Sequence, residues 1–364
     1  MKMDPPLGAR RRPWAAIGLF AVAAVALATP TMIRHRQIRH RRLGHIHHSV
    51  DDKEKDVPLI EFAVAGFAKT GTSYLLHHLL NTDETYMGGE EHCLSSSDVS
   101  KKISMYKLGR RTDDGRTRIK NGLKCPRDLQ DVHGLENYEK HFPRTKFIVS
   151  LRHPILWFQS FYNYKVRQHA LKKHDVWRPN VMDLIGPCNA GSEYVTHTYQ
   201  KGEAHREGVC TNAARFHHYL SRLGFTEMST PEELSLIDHG MAIASLPEAR
   251  LFLMEINQFS IENQTRANTF TQDLQNYVGL ENPLPPLLAH EKKQIPEDVK
   301  NMFIDICDEQ YDFIRSMLLK TAQEAHLWIR DYLLKSDQVV VSSPDYFLEL
   351  LEDWDRDPCV DEDE

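Results

Sequence analysis

The chain has 364 residues, 41% hydrophobic and 26% charged, with a formal net charge of −6. That composition excludes a disordered or low-complexity protein and is enough for one large core or two ordinary ones. The charge is split between an Arg- and His-rich beginning and an acidic end from Asp345 to Glu364, so the bulk value does not single out a class of partner.

From Trp14 to Ile33 there is no charged residue. A run of about 20 apolar residues has the length of one membrane-crossing helix. Arg10, Arg11 and Arg12 precede it and favour a cytosolic N-terminus over residues 1–13 with a lumenal body, although five arginines between Arg34 and Arg42 weaken that asymmetry. Ala26-Leu27-Ala28 has the small-x-small form of a signal-peptide cleavage site, which leaves a secreted chain open beside the anchored one. Residues 34–56 are basic and His-rich and read as a solvated stem.

Leu59 to Ala65 is a short apolar run with aromatic and β-branched members, as expected of a buried parallel strand. Leu75, Leu76, Leu79 and Leu80 then recur at helical spacing. Between them lies Gly66-Phe67-Ala68-Lys69-Thr70-Gly71-Thr72-Ser73. A strand, a glycine loop and a helix start gather backbone N–H groups around one point, where a phosphate binds well. Lys69 adds a charge, and Thr72 and Ser73 add hydroxyls. The spacing shares the frame of the nucleotide-triphosphate loop G-x-x-x-x-G-K-[ST], but Thr72 stands where that loop needs lysine.

A second strand-like run, Thr145 to Leu151, leads into Arg152-His153-Pro154 and a helical stretch containing Ser160. Pro154 suits a first helical turn. Arg152 offers a planar fork to phosphate oxygens and Ser160 a hydroxyl. Alternating strand and helix patterns around the two loops predict a P-loop-like three-layer α/β fold, a central parallel sheet with helices on both faces, over residues 57–340. Phe303, Ile304, Ile306, Tyr311, Ile314 and Leu318 suggest a closing helix after Pro296, and residues 341–364 read as an acidic tail. The six cysteines have no zinc-ligand spacing, and no metal cluster is predicted. Cys188 and Cys210 are the preferred disulfide pair, with two free thiols as the other reading.

The first loop resembles the 5′-phosphosulfate loop x-x-K-x-G-T-[ST] of sulfotransferases that use 3′-phosphoadenosine 5′-phosphosulfate (PAPS). Arg152-His153-Pro154 with Ser160 resembles the same family's 3′-phosphate motif, with His153 in the place of an Asp and Trp157 where many members carry Arg. The motifs are closest to those of Golgi carbohydrate sulfotransferases of the heparan-sulfate type. The resemblance implies that residues 67–73, Arg152 and Ser160 bind PAPS and that Lys69 stabilises the leaving phosphate. It further implies that Gly88-Gly89-Glu90-Glu91-His92-Cys93 matches an E-x-H-F stretch in which Glu90 is the base and His92 its support; Glu91 and His92 stay open as alternative bases. Lys124-Cys125-Pro126 resembles the family's Lys-[Ser/Thr]-Pro stretch, whose lysine reaches the sulfuryl group or the acceptor.

Transfer of a sulfuryl group to a carbohydrate hydroxyl, in a type II protein of the Golgi membrane, is thus the expectation. The basic stretch from Lys101 to Lys120 suits an anionic polysaccharide, and nucleic acid is not expected because aromatics are not interleaved with it. A P-loop nucleotide kinase and a non-catalytic carbohydrate-binding relative are the alternatives.

Overall fold

The computed structural model describes residues 58–88, 91–94, 99–109, 119–171, 178–188, 193–197, 204–225, 246, 248–260, 262–288 and 294–360. The predicted membrane segment 14–33, the stem, Glu90 and the basic residues from Arg110 to Arg118 lie outside these. Among the described residues no helix is long and apolar enough to cross a membrane.

Strands β1 (Phe62–Ala65), β2 (Thr85–Tyr86), β3 (Lys120–Cys125), β4 (Lys146–Leu151), β7 (Arg250–Glu255) and β8 (Val339–Val341) form one sheet. Its order is β2-β3-β1-β4-β7-β8, and every adjacent pair is parallel. A separate antiparallel pair joins β5 (Glu193–His197) to β6 (Ala204–Gly208).

Strand alternation divides the core into two layers. Phe62 and Val64 of β1, Ile148 of β4, and Phe252 and Met254 of β7 face helices α1 (Thr72–Leu80) and α6 (Gln264–Val278), through Leu75, Leu79, Phe270 and Leu274. Ala63, Phe147, Val149, Leu251 and Leu253 point the other way. There they meet α3 (Val132–His141), α4 (Pro154–Leu171), α8 (Asp312–Asp331) and α9 (Pro344–Glu352). Helices on both faces explain why β1 and the middle of β4 and of β7 are apolar on both sides. The three-layer α/β expectation therefore holds.

The chain leaves β1 toward β3 on one side and leaves β4 toward β7 on the other, so the strand order reverses between β1 and β4. Ligands in open parallel sheets bind at such a reversal, beyond the strands' carboxyl ends. Both phosphate motifs of the sequence emerge there.

Two expectations about the end of the chain are corrected. The closing helix starts at Asp312, not near Phe303; Phe303, Ile304 and Ile306 precede it in a separate segment. The stretch after residue 340 is also more than an acidic tail. It contains α9, its Trp354 is 1% exposed against His153 and Phe216, and Cys359 is joined to Cys307. Its acids mislead because they sit on the outer side of an amphipathic segment whose Phe347, Leu351 and Trp354 enter the core. Removing a buried indole leaves a large void. Trp354→Ala is expected to lower unfolding stability by about 3–5 kcal/mol, read as a drop in the urea midpoint at unchanged slope.

Candidate functional site

The loop after β1 is held from behind. Trp157 Nε1 donates to the Ala68 carbonyl at 2.7 Å, the Arg152 guanidinium reaches the Lys69 carbonyl at 3.5 Å, and the Ser150 hydroxyl donates to the Thr70 carbonyl. In a trans peptide the next N–H points opposite to the carbonyl. Fastening three successive carbonyls toward β4 and α4 therefore turns the amides of Lys69, Thr70 and Gly71 outward, as in an anion-binding nest. The backbone conforms at a cost: Lys69 has φ 70° and Gly71 φ 90°. A Cβ at Gly71 would lie 2.7 Å from the Phe259 ring, so glycine is required there for space as well as for φ. Gly71 precedes α1 without any side-chain cap, leaving the helix's first amides for a ligand.

The predicted loop residues divide by role. Phe67 is buried, with its ring 4.4 Å from that of Phe216, and the Thr70 hydroxyl is spent on the Phe67 carbonyl at 2.8 Å. Their side chains build the loop, and only their backbone remains for a cofactor. Thr72 is buried and Ser73 exposed at the helix start, and Ala68 contributes backbone alone.

Lys69, Arg152 and Ser160 line one cavity of about 260 Å³. Two motifs some 80 residues apart in the chain thus meet where the sheet order reverses. Burial, together with the charges of Arg167 and Arg152, brings the Lys69 ammonium down to about 8. Its Nζ sits 4.6 Å above the Tyr164 ring. Burial also lowers Arg152, opposed by Glu255 at the end of β7. That carboxyl is pushed up to about 8 by its own burial, against the Asn257 amide and the Arg152 charge.

His153 and Trp157, which differ from the motif that this turn resembles, have local uses. His153 accepts the Ile155 N–H at Nδ1 and, from Nε2, donates to the Arg356 carbonyl, each at 3.2 Å. A neutral imidazole therefore caps α4, as an Asp side chain would. Burial keeps it neutral, lowering its pKa to about 4. Trp157 is the residue that fastens Ala68.

A second group forms at the end of β3. Lys124 is 2% exposed and its ammonium is paired with Glu91, which is 52% exposed. The His92 amide donates to the Lys124 carbonyl at 3.0 Å. Cys93 and Cys125, the two departures from the motifs around them, are disulfide partners, so the Glu91-His92 segment is covalently tied to the lysine strand. Glu90, read as the base, lies outside the described residues. Neither Lys124 nor His92 lines the Lys69 cavity. The preferred Cys188–Cys210 pair forms, and the free-thiol alternative is overturned, since all six cysteines are in disulfides. In the basic stretch, Lys120 lies 3.8 Å from Glu61.

A further cavity of about 410 Å³ opens beside Ala68, with Arg127, Gln130 and Tyr219 on its walls. Sequence reasoning missed this cavity, and it missed Tyr164 and Arg167 in the first. The one signal for the latter is a helical stripe, Leu156, Ser160, Asn163 and Arg167, continuing the register that Ser160 begins.

A bound anion raises the Lys69 pKa again, so binding takes up a proton above about pH 8 and is tightest below it. Pyrophosphate affinity is expected to fall about tenfold or more between pH 7 and 9.5, relative to Lys69→Arg, whose charge persists over that range. Calorimetric titrations of both proteins in parallel cancel the ligand's own ionisation.

Among solved structures, a sulfotransferase from Alicyclobacillus acidocaldarius aligns with 74% of this chain and 95% of its own, at 12% identity and a TM-score of 0.38, too loosely to assign an activity. No protein-family model matches the chain, and neither does any curated protein sequence.

Proposed function

We propose that the chain transfers a sulfuryl group from PAPS to a hydroxyl of a carbohydrate. The observation that carries this is the meeting of Lys69, Arg152 and Ser160 around one cavity beside a loop with outward-turned amides. A donor with phosphate on its 3′ oxygen and phosphosulfate on its 5′ oxygen needs two anion sites, and the two sequence motifs supply one each.

In the step itself the acceptor oxygen forms a bond to sulfur as the bond from sulfur to the 5′-phosphate oxygen breaks. The electron pair of the broken bond remains on the phosphate, which leaves as part of adenosine 3′,5′-bisphosphate. Lys69 and the loop amides stabilise that growing charge. The acceptor's proton passes to a carboxylate or imidazole of the segment Glu90-Glu91-His92, with Lys124 holding Glu91 in place.

Carbohydrate suits the second cavity, where Arg127 and Gln130 offer planar hydrogen-bonding groups and Tyr219 an aromatic face. Three disulfides support an oxidising compartment, in keeping with the expected Golgi lumen and the apolar stretch 14–33. A nucleotide kinase is disfavoured by Thr72 at the position that needs lysine.

The test is transfer of radiolabel from PAPS by the full-length chain to glycans, tyrosine peptides and small alcohols. Label on a glycan that falls at least about 100-fold in Lys69→Ala supports the reading. Label on peptides or alcohols alone overturns the acceptor class, PAPS binding with no transfer favours the non-catalytic relative, and no PAPS binding overturns the reaction. With an active glycan, Tyr219→Leu is expected to raise the acceptor KM about tenfold, with the KM for PAPS unchanged.

A further inference from the structure

We infer that Arg167 is a third donor-binding cation, which joins Lys69 in holding the 5′-phosphosulfate end, while Arg152 and Ser160 hold the 3′-phosphate. The inference rests on the PAPS reading above, and nothing in the family resemblance assigned a role to this residue.

Position is the first argument. Arg167 lines the Lys69 cavity and lies seven residues beyond Ser160 on α4. Two helical turns place it about 10 Å further along the axis. That separates two anion sites by the order of length that divides the ends of a ribose substituted on both its 3′ and 5′ oxygens. Tyr164 stands between them in sequence, with Lys69 Nζ 4.6 Å and the Arg167 guanidinium carbon 5.8 Å from its ring centre. One aromatic ring thus lies within reach of both cations, and of the buried Lys165 ammonium at 5.7 Å.

The second argument is that a guanidinium donor of Arg167 is left unmade among the described residues. Its Nε is buried and has no hydrogen-bond partner among the described residues. A buried guanidinium donor left unmade is costly, and the cost is recovered when an anion accepts from it. Among the described residues no carboxylate lines this cavity to do so. Instead Arg167 faces like charge, and it is the charge that most depresses the Lys69 ammonium. A cavity whose described lining holds three cations and no acid is matched by a multiply charged ligand. A guanidinium at the 5′ end also acts in the reaction, because the phosphate there gains negative charge as its bond to sulfur breaks.

The experiment is calorimetric binding of adenosine 3′,5′-bisphosphate, adenosine 5′-monophosphate and adenosine 3′-monophosphate to the full-length chain, wild type beside Arg167→Gln, Arg167→Lys and Arg152→Gln. Loss of one charge-assisted contact predicts that R167Q weakens the bisphosphate and the 5′-monophosphate about 10- to 100-fold, leaves the 3′-monophosphate within about threefold, and is partly restored in R167K. R152Q is expected to show the opposite ligand preference. Wild-type binding with no loss in R167Q, or with equal loss for the 3′- and 5′-monophosphates, overturns the role given to Arg167 while leaving the PAPS reading in place. Absence of bisphosphate binding by the wild type overturns the PAPS reading itself. Should R167Q not fold, R167K decides, since a guanidinium that receives a phosphate in its fork loses affinity for the 5′ ligands alone on conversion to an ammonium, and unchanged or uniform affinities overturn the assignment.

Discussion

The turn from β1 into α1 keeps its shape because β4 and α4 hold its carbonyls. Ser150, Arg152 and Trp157 reach the carbonyls of Thr70, Lys69 and Ala68, and peptide planarity converts those attachments into amides that face away. Neither half of the arrangement would form alone. A Lys69 at φ 70° is strained in isolation, and the three donors would lack acceptors if β4 were not beside β1. The parallel pairing of β1 with β4 is therefore the condition for both the loop and the arginine that follows β4.

The charge distribution follows from the same placement. Bringing Lys69, Arg152 and Arg167 around one cavity lowers the proton affinity of the lysine and stores repulsion in the unliganded protein. Glu255, at the carboxyl end of the next strand, offsets part of that repulsion only when ionised, and its burial holds its carboxyl up to about 8. Such a site is poised between charge states near neutral pH, a condition common where ligand charge decides occupancy.

Disulfides supply further ties between segments distant in the chain. Cys125 follows Lys124, and Cys93 follows His92. Bonded to each other, they connect the Glu91-His92 segment to the end of β3. The Cys307–Cys359 bond and the Arg315–Asp357 pair, at 3.1 Å, act similarly at the end of the chain. They bring Arg356 to the imidazole that caps α4. The C-terminal segment thereby supports the helix on which Ser160, Tyr164 and Arg167 stand.

Much of this was legible without coordinates. The apolar run of β1, the glycine spacing after it and the Arg-x-Pro turn after β4 are local patterns, and local patterns dictate local structure: a strand, a turn, a helix start. Lys69, Arg152 and Ser160 were singled out from them, and the structure brings the three around one cavity. Glu255 stands at the end of β7, opposite Leu151, and nothing local in the sequence connects it with Arg152. Arg167 carries no motif, and its stripe with Ser160 acquires meaning once that face of α4 is known to border the cavity. The acidic end of the chain misled because charge density along a sequence does not say which face of a helix packs. The pairing of Cys93 with Cys125 could not be chosen from spacing, because many pairings close loops of acceptable length. What the amino-acid order determined was the succession of strand, turn and helix start at each loop, since these depend on neighbours a few residues apart. Which cations share a cavity, which carbonyls are fastened and which cysteines meet was decided by the tertiary structure alone, because each depends on strand order that brings distant segments side by side.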